Sequence, residues 1–286
     1  MNTAPIGFFD SGLGGLCVRD AVTRLLPHES TIYIADSANC PYGNKPEAEI
    51  RQLARRHVET LFSRGVKLIV VACNTATAAA IDDLRTTWPD FPFVGMEPAV
   101  KPAALHSKTG IVGVLATQGT FHGRLYRETC ARFARNTTVL MCVADDFVKL
   151  VEKGETSGPR AEEIVRHRVA PLIAAGADHL VLGCTHFPHL RPLIEQAAEG
   201  RAVVLDSSDA VARQVKRLLR ARNLLASKTA VATHDFFRTH VWPENGQWVL
   251  RDVGVCYNNA VMETTSTACA SPVAGCAKGV ADDAIA

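Results

Sequence analysis

The chain predicts an α/β fold with mostly parallel sheets, and three observations carry that reading. Short apolar runs alternate with amphipathic stretches along most of the 286 residues, the pattern of strands joined by crossover helices. Several runs are rich in Val, Ile and Leu on both faces, as strands covered by helices on both sides must be. Two of them, LIVVACNTATAAA (Leu68–Ala80) and HLVLGCTHFPHL (His179–Leu190), share one layout of apolar strand, cysteine, short polar residue and helix. One lies in each half of the chain. Ligands of open parallel sheets gather at the carboxyl ends of the strands, so the two cysteines are expected to face one another across a cleft between two pseudo-symmetric lobes.

The elements follow in order. Pro5–Phe9 is a strand that runs into Asp10, Ser11 and the glycine-rich turn of GFFDSGLGG (Gly7–Gly15). Helix Leu16–Leu26 and strand Ser30–Ala35 come next. Pro46 stands in the first turn of helix Pro46–Arg64, and Gly65 ends it. Strand Leu68–Ala72, helix Thr75–Thr87 and strand Pro92–Gly95 then close the first half. The proline-rich, aperiodic Met96–Lys108 reads as a crossing between lobes, and Asp206–Ser208 as a second. Between the crossings lie strands Thr109–Leu115, Thr138–Val143, His179–Gly183 and Ala202–Leu205. Helices Gly119–Ala134, Pro159–Ala175 and Pro188–Glu199 alternate with them, and helix Ser208–Arg222 returns to the first lobe. One lobe is therefore expected from residues 1–97 plus 207–255, and the other from 98–206. After Ala226 the pattern degrades. Residues 263–286 carry few large apolar side chains and read as a disordered tail.

Composition narrows the function. A net charge of +2 makes no electrostatic case for nucleic acid or an anionic membrane. No apolar run approaches the ~20 residues of a membrane span, and MNTAPIGFFDSG lacks the order of a signal peptide, so a cytoplasmic protein is expected. The nine cysteines are odd in number and include no C-x-x-C pair; free thiols and no metal site are expected.

The turn after the first strand is not a phosphate loop. Glycine would be needed at position 17, which is Cys17, and no G-K-[ST] follows. What remains is a turn whose backbone N–H groups face an anion, a carboxylate as well as a phosphate, or bind nothing.

FDSGLGG, ACNTATA, LATQGT and LGCTHF, in that order, with PYGNK at 41–45 and LVEKGE at 150–155, resemble the glutamate racemases of the aspartate/glutamate racemase superfamily. The resemblance spans roughly residues 5–222. It implies interconversion of L- and D-glutamate for peptidoglycan synthesis, without pyridoxal phosphate or any other cofactor. It makes Cys73 the base toward D-glutamate and Cys184 the base toward L-glutamate. Inverting an α-carbon means removing a proton from one face and supplying one to the other, which two fixed bases can do. Thiols suit this once their pKa of ~8.5 is lowered.

Asp10 is placed to help Cys73, and His186 to help Cys184 as an imidazolium backed by a helix N-terminus. Glu152 matches a further acidic position on the Cys184 side. Substrate contacts are implied for Asp10, Ser11, Pro41, Tyr42, Gly43, Asn74, Thr75, Thr117, Thr120, Thr185 and His186. For Thr117 and Thr120 an ordinary helix cap competes with that role, and for Tyr42 a plain turn does. The family also implies a homodimer as a possible assembly. With the first motif beginning at Gly7, dependence on an activator bound through an N-terminal extension is not expected. Other readings stay open: a racemase of aspartate or another acidic amino acid, a cysteine amidase or hydrolase built on Cys184 and His186, and a binding protein on the same fold.

Overall fold

Ile6–Asp10 (β1) is buried at every residue, as its unbroken apolar run requires of a strand covered on both faces. The computed structural model describes residues 2–241 and 248–252. From β1 the chain runs through helix Leu16–Leu25 (α1), strand Thr31–Ala35 (β2), helix Glu47–Ser63 (α2), strand Leu68–Val71 (β3), helix Asn74–Thr87 (α3) and strand Phe93–Val94 (β4). Helix Val100–His106 (α4) leads to strand Ile111–Ala116 (β5), helices Gln118–His122 (α5) and Arg124–Phe133 (α6), strand Thr138–Val143 (β6) and helix Asp145–Glu152 (α7). Then come helix Pro159–Ala174 (α8), strand His179–Leu182 (β7), helix Arg191–Ala198 (α9) and strand Val203–Leu205 (β8). Helix Ser208–Ala221 (α10) and strands His234–Val241 (β9) and Trp248–Asp252 (β10) complete the described chain.

Two sheets result, ordered β10-β9-β2-β1-β3-β4 and β6-β5-β7-β8. Every ladder is parallel except β10 on β9. The order β2-β1-β3-β4 is repeated by β6-β5-β7-β8, so β1 corresponds to β5 and β3 to β7. Cys73 and Cys184 therefore follow equivalent strands. Alternation along the strands divides the first sheet's core. Ile6, Phe8, Leu68 and Val70 pack toward Val18, Val22, Val211 and Val215 of α1 and α10. Phe9, Ile69 and Val71 pack toward Val58 and Leu61 of α2 and Ile81 and Leu84 of α3.

All eight expected strands form, with shifts of a residue or two at their ends. Four readings need correction. Met96–Lys108 is no plain crossing: Val100 and Ala103 are buried in α4, and Pro102 is tolerated because its missing N–H falls in the first turn. Gly119–Ala134 is two helices, since Gly123 takes an extended ψ of 139° that ends one and caps the next. Asp145–Glu152 is a helix whose one apolar face, Phe147, Val148, Leu150 and Val151, is buried. The degraded pattern after Ala226 conceals β9, in which Thr239 is buried on a partner while Asp235, Arg238 and His240 stay exposed. The tail expected at 263–286 lies outside the described residues. Among those described, no helix is long and apolar enough to cross a membrane.

The partner of Thr239 is Asp36, which is fully buried. It accepts from Thr239 Oγ1 at 2.7 Å, Asn39 Nδ2 at 2.9 Å and Tyr42 Oη at 2.5 Å, and pairs with His57 Nε2 at 3.0 Å. Burial pushes its carboxyl up, but His57, Tyr42 and Asn39 outweigh that and hold it below the usual range. The carboxylate ties β9 and α2 to the loop that carries Tyr42 and Gly43. Asp36→Asn should cost about 3 kcal/mol in urea unfolding at neutral pH, since it removes one side of a buried pair. A carboxyl held low in the folded state contributes stability above its unfolded value of ~3.9 and loses it as pH falls further. The gap between parent and variant should therefore narrow in acid, and a gap that widened there would contradict this account.

Candidate active site

The site is built where β1, β3, β5 and β7 end. β1 delivers Asp10, fully buried, into the turn Ser11–Gly15. That turn's amides do face carboxylates, but the carboxylates are the protein's own. Asp10 takes the N–H of Ser11 and of Gly15, both at 2.7 Å, and Glu152 at the end of α7 takes the N–H of Leu13 at 2.7 Å. The expectation that these groups await a free anion is corrected for those three amides. Gly12 and Gly14 have a steric reason. A Cβ on Gly12 would overlap the Glu152 carboxylate, and one on Gly14 would lie 2.5 Å from His186 Nδ1 and 2.7 Å from His186 N. Only a turn without side chains lets the second sheet's residues come so close.

The two thiols occupy equivalent positions with different neighbours. Cys73 is the N-cap of α3, where its sulfur accepts from Ala76 N at 3.4 Å, and it donates to Ser11 Oγ at 3.7 Å. Cys184 lies 3.7 Å from His186 Nδ1, and His186 Nε2 meets Glu152 Oε1 at 2.7 Å. Cys184, His186 and Glu152 thus form a chain that ends on the Leu13 amide. Thr185 Oγ1 reaches Asp10 Oδ2 at 3.4 Å and joins the two thiol neighbourhoods.

Electrostatics depart from the sequence-based expectation. Both cysteines are almost fully buried, 4% and 7% exposed, and burial dominates. It pushes the Cys73 thiol up to about 12, with the Asp10 charge adding to the rise. Burial also raises Cys184 well above the ordinary thiol value, and neighbouring Cys73, Asp10 and Cys40 reinforce it. The lowered pKa values expected of both are therefore corrected: in the protein by itself burial favours the neutral form of both thiols. For His186 burial opposes the charged form, yet the bond to Glu152 and the nearby Asp10 charge raise its pKa overall. Burial also lifts Asp10, against the pull of His186 and the Gly15 amide. The helix N-terminus expected behind His186 is a short 3-10 turn, Phe187–Leu190, that precedes α9.

The hydroxyls converge on the other side of Cys73. Thr75, Thr117 and Thr120 form a triangle of oxygens with edges of 2.8, 3.0 and 3.4 Å. Thr117 is the N-cap of α5 but makes no side-chain cap bond, so the helix-cap reading fails there. Beside the triangle Gly43 accepts from Gly119 N at 3.1 Å. Asn74 is buried, and its Nδ2 has no hydrogen-bond partner, a donor available to an incoming acceptor. Tyr42 is brought in by its backbone only, because its hydroxyl is spent on Asp36. Pro41 follows Cys40 through a cis peptide bond. A cavity of about 380 Å³ opens next to the triangle, lined by Gly43, Asn44, Thr75, Gln118 and Gly119 among others, and reaches neither thiol.

Three participants escaped the sequence. Cys40 stands close enough to raise Cys184's pKa, and only its adjacency to PYGNK hinted at it. Leu13 contributes a main-chain group. Arg238 Nη2, 3.9 Å from Glu152 Oε2, comes from β9, where the pattern carried no signal. Among the described residues one group has metal-ligand spacing, Cys40, Glu152 and His186.

Two buried thiols on doubled parallel sheets, each beside its own acid–base partner, define a class of proton-transferring enzyme. The chain belongs to the Asp/Glu/Hydantoin racemase family, whose model matches residues 16–215. Among its relatives, a glutamate racemase of Pseudomonas putida is 47% identical over 228 residues, 80% of this chain and 86% of the relative. A glutamate racemase isoform from Bacillus anthracis has the same fold, with a TM-score of 0.76 at 30% identity over 84% of this chain and 90% of that one. An Escherichia coli glutamate racemase, solved with L-glutamate and the activator UDP-MurNAc-ala, matches with a TM-score of 0.74 at 36% identity over 84% and 91%.

The tight Gly14 contact can be tested without an assay. Gly14→Ala should lower the unfolding free energy by about 1–3 kcal/mol, the cost of forcing a methyl into a packed site. An unchanged urea midpoint would show that His186 can retreat freely.

Proposed function

We propose that this protein interconverts L- and D-glutamate by proton transfer at the α-carbon between Cys73 and Cys184, with no pyridoxal phosphate and no metal. One observation carries the reading: a thiol follows β3 and another follows its topological counterpart β7, each with a separate acid–base neighbour. In the L-to-D direction Cys184 takes the α-proton and Cys73 supplies one to the opposite face; the reverse reaction exchanges these roles. Asp10, linked to Cys73 through Ser11, and the His186–Glu152 pair beside Cys184 hold or pass the protons. Resting thiols must ionise for this, and a substrate ammonium is a charge that would favour the thiolate. Ser11, Asn74, Thr75, Thr117, Thr120, Thr185 and the Pro41–Gly43 loop are assigned to the two substrate carboxylates, as donors that polarise without neutralising.

The Cys184–His186–Glu152 chain alone would also suit a thiol hydrolase. That reading leaves Cys73 without a purpose. Glutamate is preferred over aspartate because the relatives named above are glutamate racemases. The same proposal divides the chain into lobes of residues 1–97 with 207–255 and residues 98–206, a division the repeated strand order supports. It further assigns a cytoplasmic, homodimeric enzyme that supplies D-glutamate for peptidoglycan.

Circular dichroism of the protein with L-glutamate, D-glutamate and both aspartates tests the activity, which dialysis against a chelator should leave intact. Cys73→Ala and Cys184→Ala should each lower racemisation by about 10³-fold or more, yet leave different remnants. In D2O, Cys73→Ala should exchange the α-hydrogen of L-glutamate with retention, and Cys184→Ala that of D-glutamate, because a thiol fixed to one wall serves one face. Near-parental racemisation by either variant would make that cysteine structural.

A further inference from the structure

Three donor atoms from separate segments meet beside Cys184, and the proposed proton transfer leaves one of them unused. Cys40 precedes the Pro41–Gly43 loop, Glu152 ends α7 and His186 follows β7. One ligand atom of each lies within 4.8 Å of the other two. His186 is buried, and the Glu152 side chain is only 16% exposed.

We propose that Cys40, Glu152 and His186 bind a divalent cation of the zinc class, and that the bound ion blocks the reaction at Cys184. One sulfur, one nitrogen and one carboxylate oxygen suit zinc and its borderline-soft neighbours, whereas calcium and magnesium take oxygen ligands. Zinc bonds of ~2.0–2.3 Å set tetrahedral ligand atoms about 3.5 Å apart. His186 Nε2 and Glu152 Oε1, now 2.7 Å apart, need only open by under about an ångström, and Cys40, within 4.8 Å of its partners, needs to close in by at most about 1.3 Å. Side-chain rotation suffices. On binding, the Cys40 thiol proton and any proton on Nε2 of His186 are released to solvent, the sulfur staying on the ion as thiolate, and the fourth position stays open to water. With Nε2 on the ion, His186 can no longer pass a proton to Glu152. The ion also ties the Cys40 segment to α7 and the β7 end.

The inhibition rests on the racemase reading, whereas the coordination does not, and the experiment separates them. Reduced, chelator-treated protein titrated with Co²⁺ should show a thiolate-to-cobalt charge-transfer band and the intense visible bands of a tetrahedral site; added Zn²⁺ should bleach both. Zn²⁺ should inhibit racemisation, and chelator should restore it. Cys40→Ser and Cys40→Ala, two substitutions so that one folded variant is secured, should lose the charge-transfer band. They should also raise the half-inhibitory Zn²⁺ concentration by roughly 10–100-fold while racemising in chelator at near the parental rate. A charge-transfer band that survives in these variants would put the metal on Cys73 or Cys184 and overturn the proposal. So would the absence of any band in the parent, or inhibition by Zn²⁺ that ignores position 40. If the parent binds Co²⁺ through Cys40 but never racemises glutamate, the site stands and the racemase reading fails.

Discussion

The carboxylate of Glu152 is the contact on which the arrangement of this site depends. It accepts from the Leu13 amide of the first sheet's turn and meets His186 Nε2 beside Cys184. Burial disfavours its charge, but His186 and the Leu13 amide more than offset that, so the carboxyl is held below its usual range. A charged carboxylate in a low-dielectric pocket must be satisfied on every side. Here that demand fixes the His186 ring, fixes the turn, and leaves no room for a side chain at Gly12. Gly12 of FDSGLGG is thus a consequence of a residue about 140 positions away, and Gly14 of His186, farther still.

Asp10 does the corresponding work on the Cys73 side. Its oxygens organise the turn from within, through Ser11 and Gly15, and touch Thr185 from the other sheet. Two buried carboxylates therefore hold the loops that carry or face two buried thiols. The cost is visible in the thiols themselves, whose ionisation is opposed by burial and by Asp10. A cation entering such a site would favour the thiolates. In the proposed reaction the substrate brings that cation, which makes the unreactive resting state and the reactive complex products of the same electrostatics.

Much of this was legible before any coordinates. Periodicity located β1 to β8, most directly β1, β2, β3 and β7, where burial of every residue leaves an unbroken apolar run. It failed at β9, where Thr239 is buried against Asp36 and Phe237 against the core while His234, Asp235, Phe236, Arg238 and His240 stay partly or fully exposed. A strand that satisfies polar side chains through distant partners has no local pattern to show. α4 was hidden by its prolines, and the break at Gly123 by a helical periodicity that continues across it. The thiols, Asp10, His186 and Glu152 were all found through motif order, and they do assemble. Cys40 and Arg238 were not, since their relevance lies only in which atoms they approach.

The sequence by itself determined the alternation of elements, the doubled strand–cysteine–helix layout and the types of side chain at the strand ends. These are properties of short segments, set by apolar spacing and by the chemistry each residue carries wherever it sits. Tertiary structure alone decided that the turn amides answer to Asp10 and Glu152 instead of a free ligand. It also decided that Thr117 joins a hydroxyl triangle and does not cap α5, and that burial opposes ionisation of both thiols. Each of those outcomes depends on burial and on charges from remote segments. Both act over a few ångströms of space, a distance that bears no relation to separation along the chain.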